Sequence, residues 1–218
     1  MLRTIERVAR QRRIRLLPLA LAGLLLLGLF GPLNTGRAEQ VEEAAPAPPG
    51  EIRFVGRNLL VKARGTFHSW RITKVEIDRS APERGVVEIE IDIESIDTGI
   101  GRRDKHLRSD DFFDIERFPT ARVRVHSAAP DGRGEEGPRY LAIFDVRIRN
   151  IEKALSGHFE MLSENPLRVR GGLSLDRVAF GVGSPYSRWN PLSLKQEIPI
   201  EFEAELSTSP PHAVGSQP

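Results

Sequence analysis

From Val87 to Ile93 the chain reads Val-Glu-Ile-Glu-Ile-Asp-Ile, with a β-branched apolar residue at every odd position and an acid at every even one. Successive side chains of extended backbone point to opposite sides, so this period of two predicts a strand with one dry and one wet face. A helix would spread the acids around its whole surface. Ile198, Ile200, Phe202, Ala204 and Leu206 repeat the pattern against Pro199, Glu201, Glu203 and Glu205. Pro199 cannot donate to a ladder, so this strand should begin near an edge or a bulge. Val123 and Val125 alternate with Arg122 and Arg124, and Leu173 and Leu175 alternate with Ser174 and Asp176. Ala142, Phe144, Val146 and Ile148 form one face of 140–149.

Weaker patterns add strands at 51–61, 65–78, 154–162 and 167–176 to those at 86–96, 121–127, 140–149 and 197–207. About eight strands result, separated by turn signals such as Ala-Pro-Glu-Arg-Gly at 81–85 and Pro-Asp-Gly-Arg-Gly at 130–134. Short strands with one dry face predict an all-β antiparallel sandwich or barrel. No long amphipathic helix is available to cross between parallel strands, which argues against an α/β fold. The one helix-like stretch is 103–117, where Asp104, Ser109 and Asp110 are placed to cap short turns before Pro119. Eight strands close a barrel that is either filled by its own side chains or holds one small ligand. The pattern leaves both open.

Charge changes the picture at the front end. Residues 1–38 carry seven arginines and one acid, for +6, and the rest of the chain carries −4, so the sequence pI near 9.2 belongs mostly to the front. The mildly acidic body argues against nucleic acid as a partner. Leu19–Phe30 is a twelve-residue apolar run behind those arginines, with Gly36 and Ala38 at the −3 and −1 positions of a cleavage site. This is the pattern of a secretory signal cut after Ala38. A retained anchor over 16–33 is the competing reading, although it wants about 20 apolar residues and Pro18 and Pro32 shorten the run. Both put the body outside the cytoplasm, with the arginines inside. Arg12-Arg13 hints at twin-arginine export, but Arg15 stands where that signal has a large apolar residue. Residues 39–50, rich in Pro and Glu, read as a linker, 51–207 as the domain and 208–218 as a frayed tail. There is no cysteine, which excludes disulfides, thiolate metal sites, a cysteine nucleophile and a lipidated bacterial lipoprotein.

One stretch carries a family signature. Ser95, Ile96 and Thr98 are followed by Arg103, Asp104, His106 and Leu107, then Asp111, Phe112, Phe113 and Asp114, then Phe118 and Pro119. This order closely resembles that of the YceI-like family, lipocalin-like polyisoprenoid-binding proteins of the bacterial envelope. Gly65-Thr66-Phe67 and Arg177-Val178-Ala179-Phe180-Gly181 are further echoes, and the likeness spans about 52–206. It implies an eight-stranded antiparallel lipocalin-like barrel, exported, non-catalytic, without a cofactor, opening onto an apolar cavity for a long isoprenoid chain. The expected lining is Phe67, Ile89, Ile91, Ile93, Val123, Val125, Phe144, Val146, Phe180, Ile198, Ile200 and Phe202. A membrane surface and a second copy of the chain are the other partners to test. Arg149-Asn150-Ile151-Glu152-Lys153 departs from the family's usual turn, and Ser184–Lys195 lies outside its pattern.

The same motif offers chemistry. Arg103, Asp104 and His106 have the makings of a base with an orienting carboxylate, and Ser95 or Ser109 is near in sequence. No nucleophile elbow or paired-acid arrangement accompanies them. The structural alternative is that Asp104 and His106 tie down the loop by hydrogen bonds while Leu107, Phe112 and Phe113 plug the barrel. Arg102, Arg103 and Arg108 form a local positive cluster suited to a phosphate head group, or a solvated loop balanced by Asp104, Asp110 and Asp111. The five histidines lie at least twenty residues apart, with no spacing for a metal site. Gly181 and Gly183 lack the Lys and helix of a phosphate cradle and read as a bulge or corner.

Overall fold

Alternating side chains become strands wherever one face can be kept dry. In a computed structural model of the chain, which describes residues 47–78 and 81–206, ten antiparallel strands form one curled sheet. They are β1 Gly50–Arg57, β2 Lys62–Phe67, β3 Trp70–Glu76, β4 Val86–Asp92, β5 Ile96–Asp97, β6 Thr120–Arg133, β7 Pro138–Ile148, β8 Ile151–Glu164, β9 Leu167–Asp176 and β10 Glu197–Leu206. The expected signal or anchor, most of the linker and the tail lie outside the described residues.

Ten strands arise from eight runs because two runs bend. β2 and β3 are one run broken at His68–Ser69, and β4 and β5 are one run broken by a 3-10 turn at Ile93–Ser95. The breaks face each other: Asp92 N–H donates to Ser69 O at 3.0 Å and His68 N–H to Ser95 O at 3.3 Å. On either side, β3 pairs with β4 and β2 with β5. β2 also pairs with β1, and β1 with β10. Followed around, the pairing returns to its start and closes an eight-run antiparallel barrel. The alternation at β4 and β10 holds in register, with Ile91 opposite Trp70 and Ala121, and Ile200 opposite Phe54 and Leu173. Pro199 lies just past the last β1–β10 pair, Phe54 with Ile200, and faces only β9.

The helix-like stretch gives α1, Gly101–Arg108, followed by turns. Its entry differs from the expected caps. Ile100 holds the N-cap position without a side-chain bond, while Asp104 lies inside the first turn and reaches back to Thr98. Ser109 is the C-cap, and its Oγ donates to His106 O at 2.7 Å.

Two excursions close one end of the barrel: residues 93–119, with α1, and residues 177–196 between β9 and β10. Another 3-10 turn, Val178–Phe180, opens the latter, and Gly181 and Gly183 follow it with φ of 71° and 69°. That left-handed region suits glycine.

Candidate ligand cavity

The barrel interior is hollow in two places along its axis. At the capped end, a cavity of about 170 Å³ is bounded by inward residues of β4, β6, β7, β9 and β10, among them Ile91, Val123, Val146 and Ile198. Phe67, Leu107, Phe112 and Phe113 close it from the rim. At the far end, a smaller cavity of about 90 Å³ is bounded by Ile89, Val125, Phe159, Met161 and Phe202. Between them is an aromatic waist. Phe144 is 2 % exposed, and its ring centroid lies 5.9 Å from that of Phe202. Inward-facing Gly157 and Gly171 make room for these rings: a Cβ at Gly157 would meet Phe144 at 2.6 Å, and one at Gly171 would meet Phe202 at 2.7 Å.

The expected lining therefore divides. Phe67, Ile91, Ile93, Val123, Val146, Ile198 and Ile200 border the first cavity. Ile89, Val125 and Phe202 border the second. Phe144 is part of the waist. Phe180 is fully buried in the 3-10 turn and borders neither cavity. Ile52, Phe54, Ala63, Leu173, Leu175 and Leu194 also line the first cavity. The weaker alternation in β1 and β2 hid the inward face of Ile52, Phe54 and Ala63, the alternation of Leu173 and Leu175 in β9 was legible, and Leu194 lies in the β9–β10 excursion.

The cap is held by buried polar groups rather than by apolar packing alone. Asp104, buried, accepts from Thr98 N–H at 3.0 Å and from the Thr98 hydroxyl. Asp114, also buried, accepts from Arg117 at 3.3 Å and from Arg149 at 3.2 Å. Arg149 stands in the β7–β8 turn and also donates to the carbonyls of Phe112 and Gly181, so it joins both excursions to the barrel. The deepest charge is Arg177, 4 % exposed. Its guanidinium donates to the carbonyls of Lys195 at 3.0 Å and of Val182, Ser184 and Leu194 at 2.7 Å each. Burial holds its pKa below the ordinary arginine value, and neighbouring Asp176 works the other way. Four carbonyls of one excursion are thus gathered on a single side chain, which no spacing rule could have revealed.

The three arginines expected at a head group have different settings. Arg103 borders the cavity with its stem, and its guanidinium donates to the hydroxyl and carbonyl of Thr98 at 2.8 Å each. Arg108 donates to the carbonyls of Glu94 and Ile96 at 2.8 Å each. Arg102 is exposed.

The motif histidine corrects the hydrogen-bonded latch expected of it. The His106 side chain is 60 % exposed, and its Nε2 lies 3.8 Å from Asp111, beyond hydrogen-bond reach. It contacts Phe112 edge-on instead, with centroids 4.8 Å apart. Both motif-neighbouring serines are committed elsewhere: Ser95 Oγ donates to Asp92 O at 2.6 Å and Ser109 Oγ to the His106 carbonyl. Among the described residues no three His, Cys, Asp or Glu side chains gather in a metal-holding group.

An antiparallel barrel with an apolar interior, capped by an Arg-Asp-x-His-Leu helix, defines the class of fold. The model of the YceI-like domain matches residues 48–206, and the chain belongs to that family. It is 31 % identical over 120 residues to a UPF0312 protein of Photorhabdus laumondii, a match covering 53 % of this chain and 59 % of that one. The match thus spans about three fifths of that relative's length. Among solved structures it resembles BcnA of Burkholderia cenocepacia, with a TM-score of 0.63 and 21 % identity, covering 72 % of this chain and 96 % of that one. It also resembles a polyisoprenoid-binding domain from Saccharophagus degradans implicated in plant cell wall breakdown, with a TM-score of 0.50 and 16 % identity, over 72 % and 92 % of the two chains.

Proposed function

We propose that this barrel holds a long isoprenoid chain in the bacterial envelope, as carrier, scavenger or store, without catalysing a reaction. The observation that carries the reading is the capped-end cavity, whose wall is built from apolar side chains and arginine stems. A dry cavity of about 150 Å³ admits a benzene-sized group, so the first cavity takes a branched apolar unit directly. A longer chain would thread the waist by turning Phe144 and Phe202. Each methylene buried contributes about 0.8 kcal/mol, which offsets the cost of immobilising a flexible chain. The likeness to a polyisoprenoid-binding domain supports the isoprenoid class, and the basic and apolar front end supports export.

The test is native mass spectrometry of the protein from its own envelope, followed by titration of geranylgeraniol into delipidated protein, with oleate as an unbranched control. Ala121→Leu, which fills the cavity without adding charge, should abolish uptake while the fold is kept. Equal binding of oleate would remove the isoprenoid class, and undiminished uptake by Ala121→Leu would place the ligand elsewhere.

A further inference from the structure

Two loops at the capped end present large apolar side chains to solvent. Leu59, Leu60 and Val61 in the β1–β2 turn are 74 %, 68 % and 53 % exposed, and Trp189 and Leu192 in the β9–β10 excursion are 82 % and 66 % exposed. The two tips adjoin: Leu59 N–H donates to Pro191 O at 3.2 Å and Lys195 N–H to Arg57 O at 2.8 Å. Neither tip is a frayed end. Asn58 Oδ1 accepts from Leu60 N–H at 2.9 Å and Val61 N–H at 2.7 Å, which builds the turn that turns the aliphatics outward. Asn190 Oδ1 accepts from Leu192 N–H at 3.0 Å, and Ser193 Oγ accepts from Ser187 N–H at 2.8 Å. Arg177 pins the base of the same excursion at four carbonyls. Side chains that gain nothing from the fold are thus presented by well-built turns.

The charges on these two segments have one sign. Residues 57–64 and 184–196 contain Arg57, Lys62, Arg64, Arg188 and Lys195, and no acid. All five are exposed. An apolar tip ringed by cations is the arrangement that enters the boundary of a lipid bilayer: aliphatics and an indole sit among the acyl chains while long cationic stems reach the phosphates. Trp189, with the Arg188 guanidinium 4.6 Å from its ring centroid, suits that boundary. A second copy fits less well, because a two-fold contact would set the five cations of one patch against the same five of the other. The patch also adjoins the cavity. Gly56, Ala63 and Leu194 line the cavity directly behind Arg57, Lys62 and Lys195, and a Cβ at Gly56 would meet Leu194 at 3.2 Å.

From this placement we infer that Leu59, Leu60, Val61, Trp189 and Leu192 form a docking surface for a bilayer containing anionic lipid. It sets the capped end of the barrel against the membrane, where an apolar chain can pass between bilayer and cavity past Leu194. The passage rests on the lipid-holding reading above, whereas the docking can be tested alone.

The probe is the full chain mixed with vesicles of brominated phosphatidylglycerol and phosphatidylcholine, read by tryptophan emission. Trp70 is buried at the start of β3, so Trp189 is the reporter of the patch. Emission should shift to the blue and be quenched, and Trp189→Phe should remove the quenching. The Leu59→Ser/Leu60→Ser/Leu192→Ser variant should need about tenfold more lipid or worse for the same signal. Arg57→Gln/Lys62→Gln/Lys195→Gln should lose the preference for phosphatidylglycerol. Emission indifferent to vesicles would overturn the proposal, as would quenching that survives Trp189→Phe. So would a dimer seen by sedimentation without lipid and lost in the serine variant. Geranylgeraniol delivered in detergent separates the two readings: the serine variant should still take it up. A wild type that is quenched by vesicles yet takes up no geranylgeraniol would leave docking standing and remove the lipid-holding reading.

Discussion

On the outer wall of the barrel, Arg71 and Arg122 reach Glu90 from strands on either side, and Arg168 and Arg170 share Glu203. At the capped end, Arg177 hydrogen-bonds to no carboxylate and is nonetheless the most thoroughly bonded side chain of its region, through four carbonyls. The wall pairs follow from register: opposite charges on neighbouring strands meet because their backbones already do. Their arginines are exposed, so water competes for the guanidinium groups and salt screens them. Arg177 is withdrawn from water, and its partners are backbone groups of an irregular loop that have no ladder to join. Wall charges decorate a structure that exists without them, whereas the buried ones substitute for missing secondary structure.

The strongest way to break this contrast is Arg177→Met. It leaves carbonyls of Val182, Ser184, Leu194 and Lys195 short of a donor, and each buried acceptor left unsatisfied costs about 1–3 kcal/mol. Urea unfolding checks it, and a loss under about 1 kcal/mol would mean the loop is held by other means. Asp104→Ala should follow at about 1–3 kcal/mol, because Thr98 loses its acceptor in a buried setting. Arg124→Ala on the wall, whose guanidinium is 3.8 Å from Glu88, should cost about 0.5 kcal/mol or less. His106→Ala belongs with the wall at about 0.5 kcal/mol or less, although it sits in the motif, because its ring is exposed and unbonded.

The smallest effect is with acid. The Gly99 N–H and then the His68 side chain hold the Asp97 carboxyl below its ordinary value, and Arg170 does most to hold Glu203 below its own. Groups with depressed values in the folded state contribute stability above their unfolded values, near pH 4. That contribution fades as pH falls through the lower folded values. Unfolding midpoints should therefore be flat from neutral pH down to about 5 and slip only below about 4. Glu203→Gln should remove part of that slope; an unchanged acid limb would show that the pairing on β10 contributes nothing.

The alternation in β4, β6, β7 and β10 was legible because each has a wet side and a dry side. The motif at 95–119 was legible as a family resemblance, and its Asp104 and Phe112 have structural partners of their own. What the pattern could not show was the division of the interior. Whether Phe144 fills the barrel or lines it depends on Gly157 across the strand pair, a relation of register rather than of neighbours in sequence. His106 was misread as a hydrogen-bonded latch because a motif names a residue without saying which way its side chain turns. The tip at 59–61 was read as the end of a strand over 51–61, and the tip at 189–192 stood out only as part of a stretch outside the family pattern. The Leu59–Pro191 and Lys195–Arg57 hydrogen bonds bring them together.

The barrel closes where β1 meets β10, joining Gly50 to Ala204 at one end of the pairing and Phe54 to Ile200 at the other. Nearly all the described residues lie between these partners. A ribosome releases β1 first and β10 last, so the ring cannot shut until the final strand has emerged. Contacts so distant in sequence form slowly, since a long loop must be closed before they give any return. Until then β1 and β9 each present a row of unpaired amides and carbonyls, the kind of edge onto which a foreign strand can add. The vulnerable period of this protein is therefore its birth, and a chaperone that shields strand edges would help it more than one that recognises exposed helices.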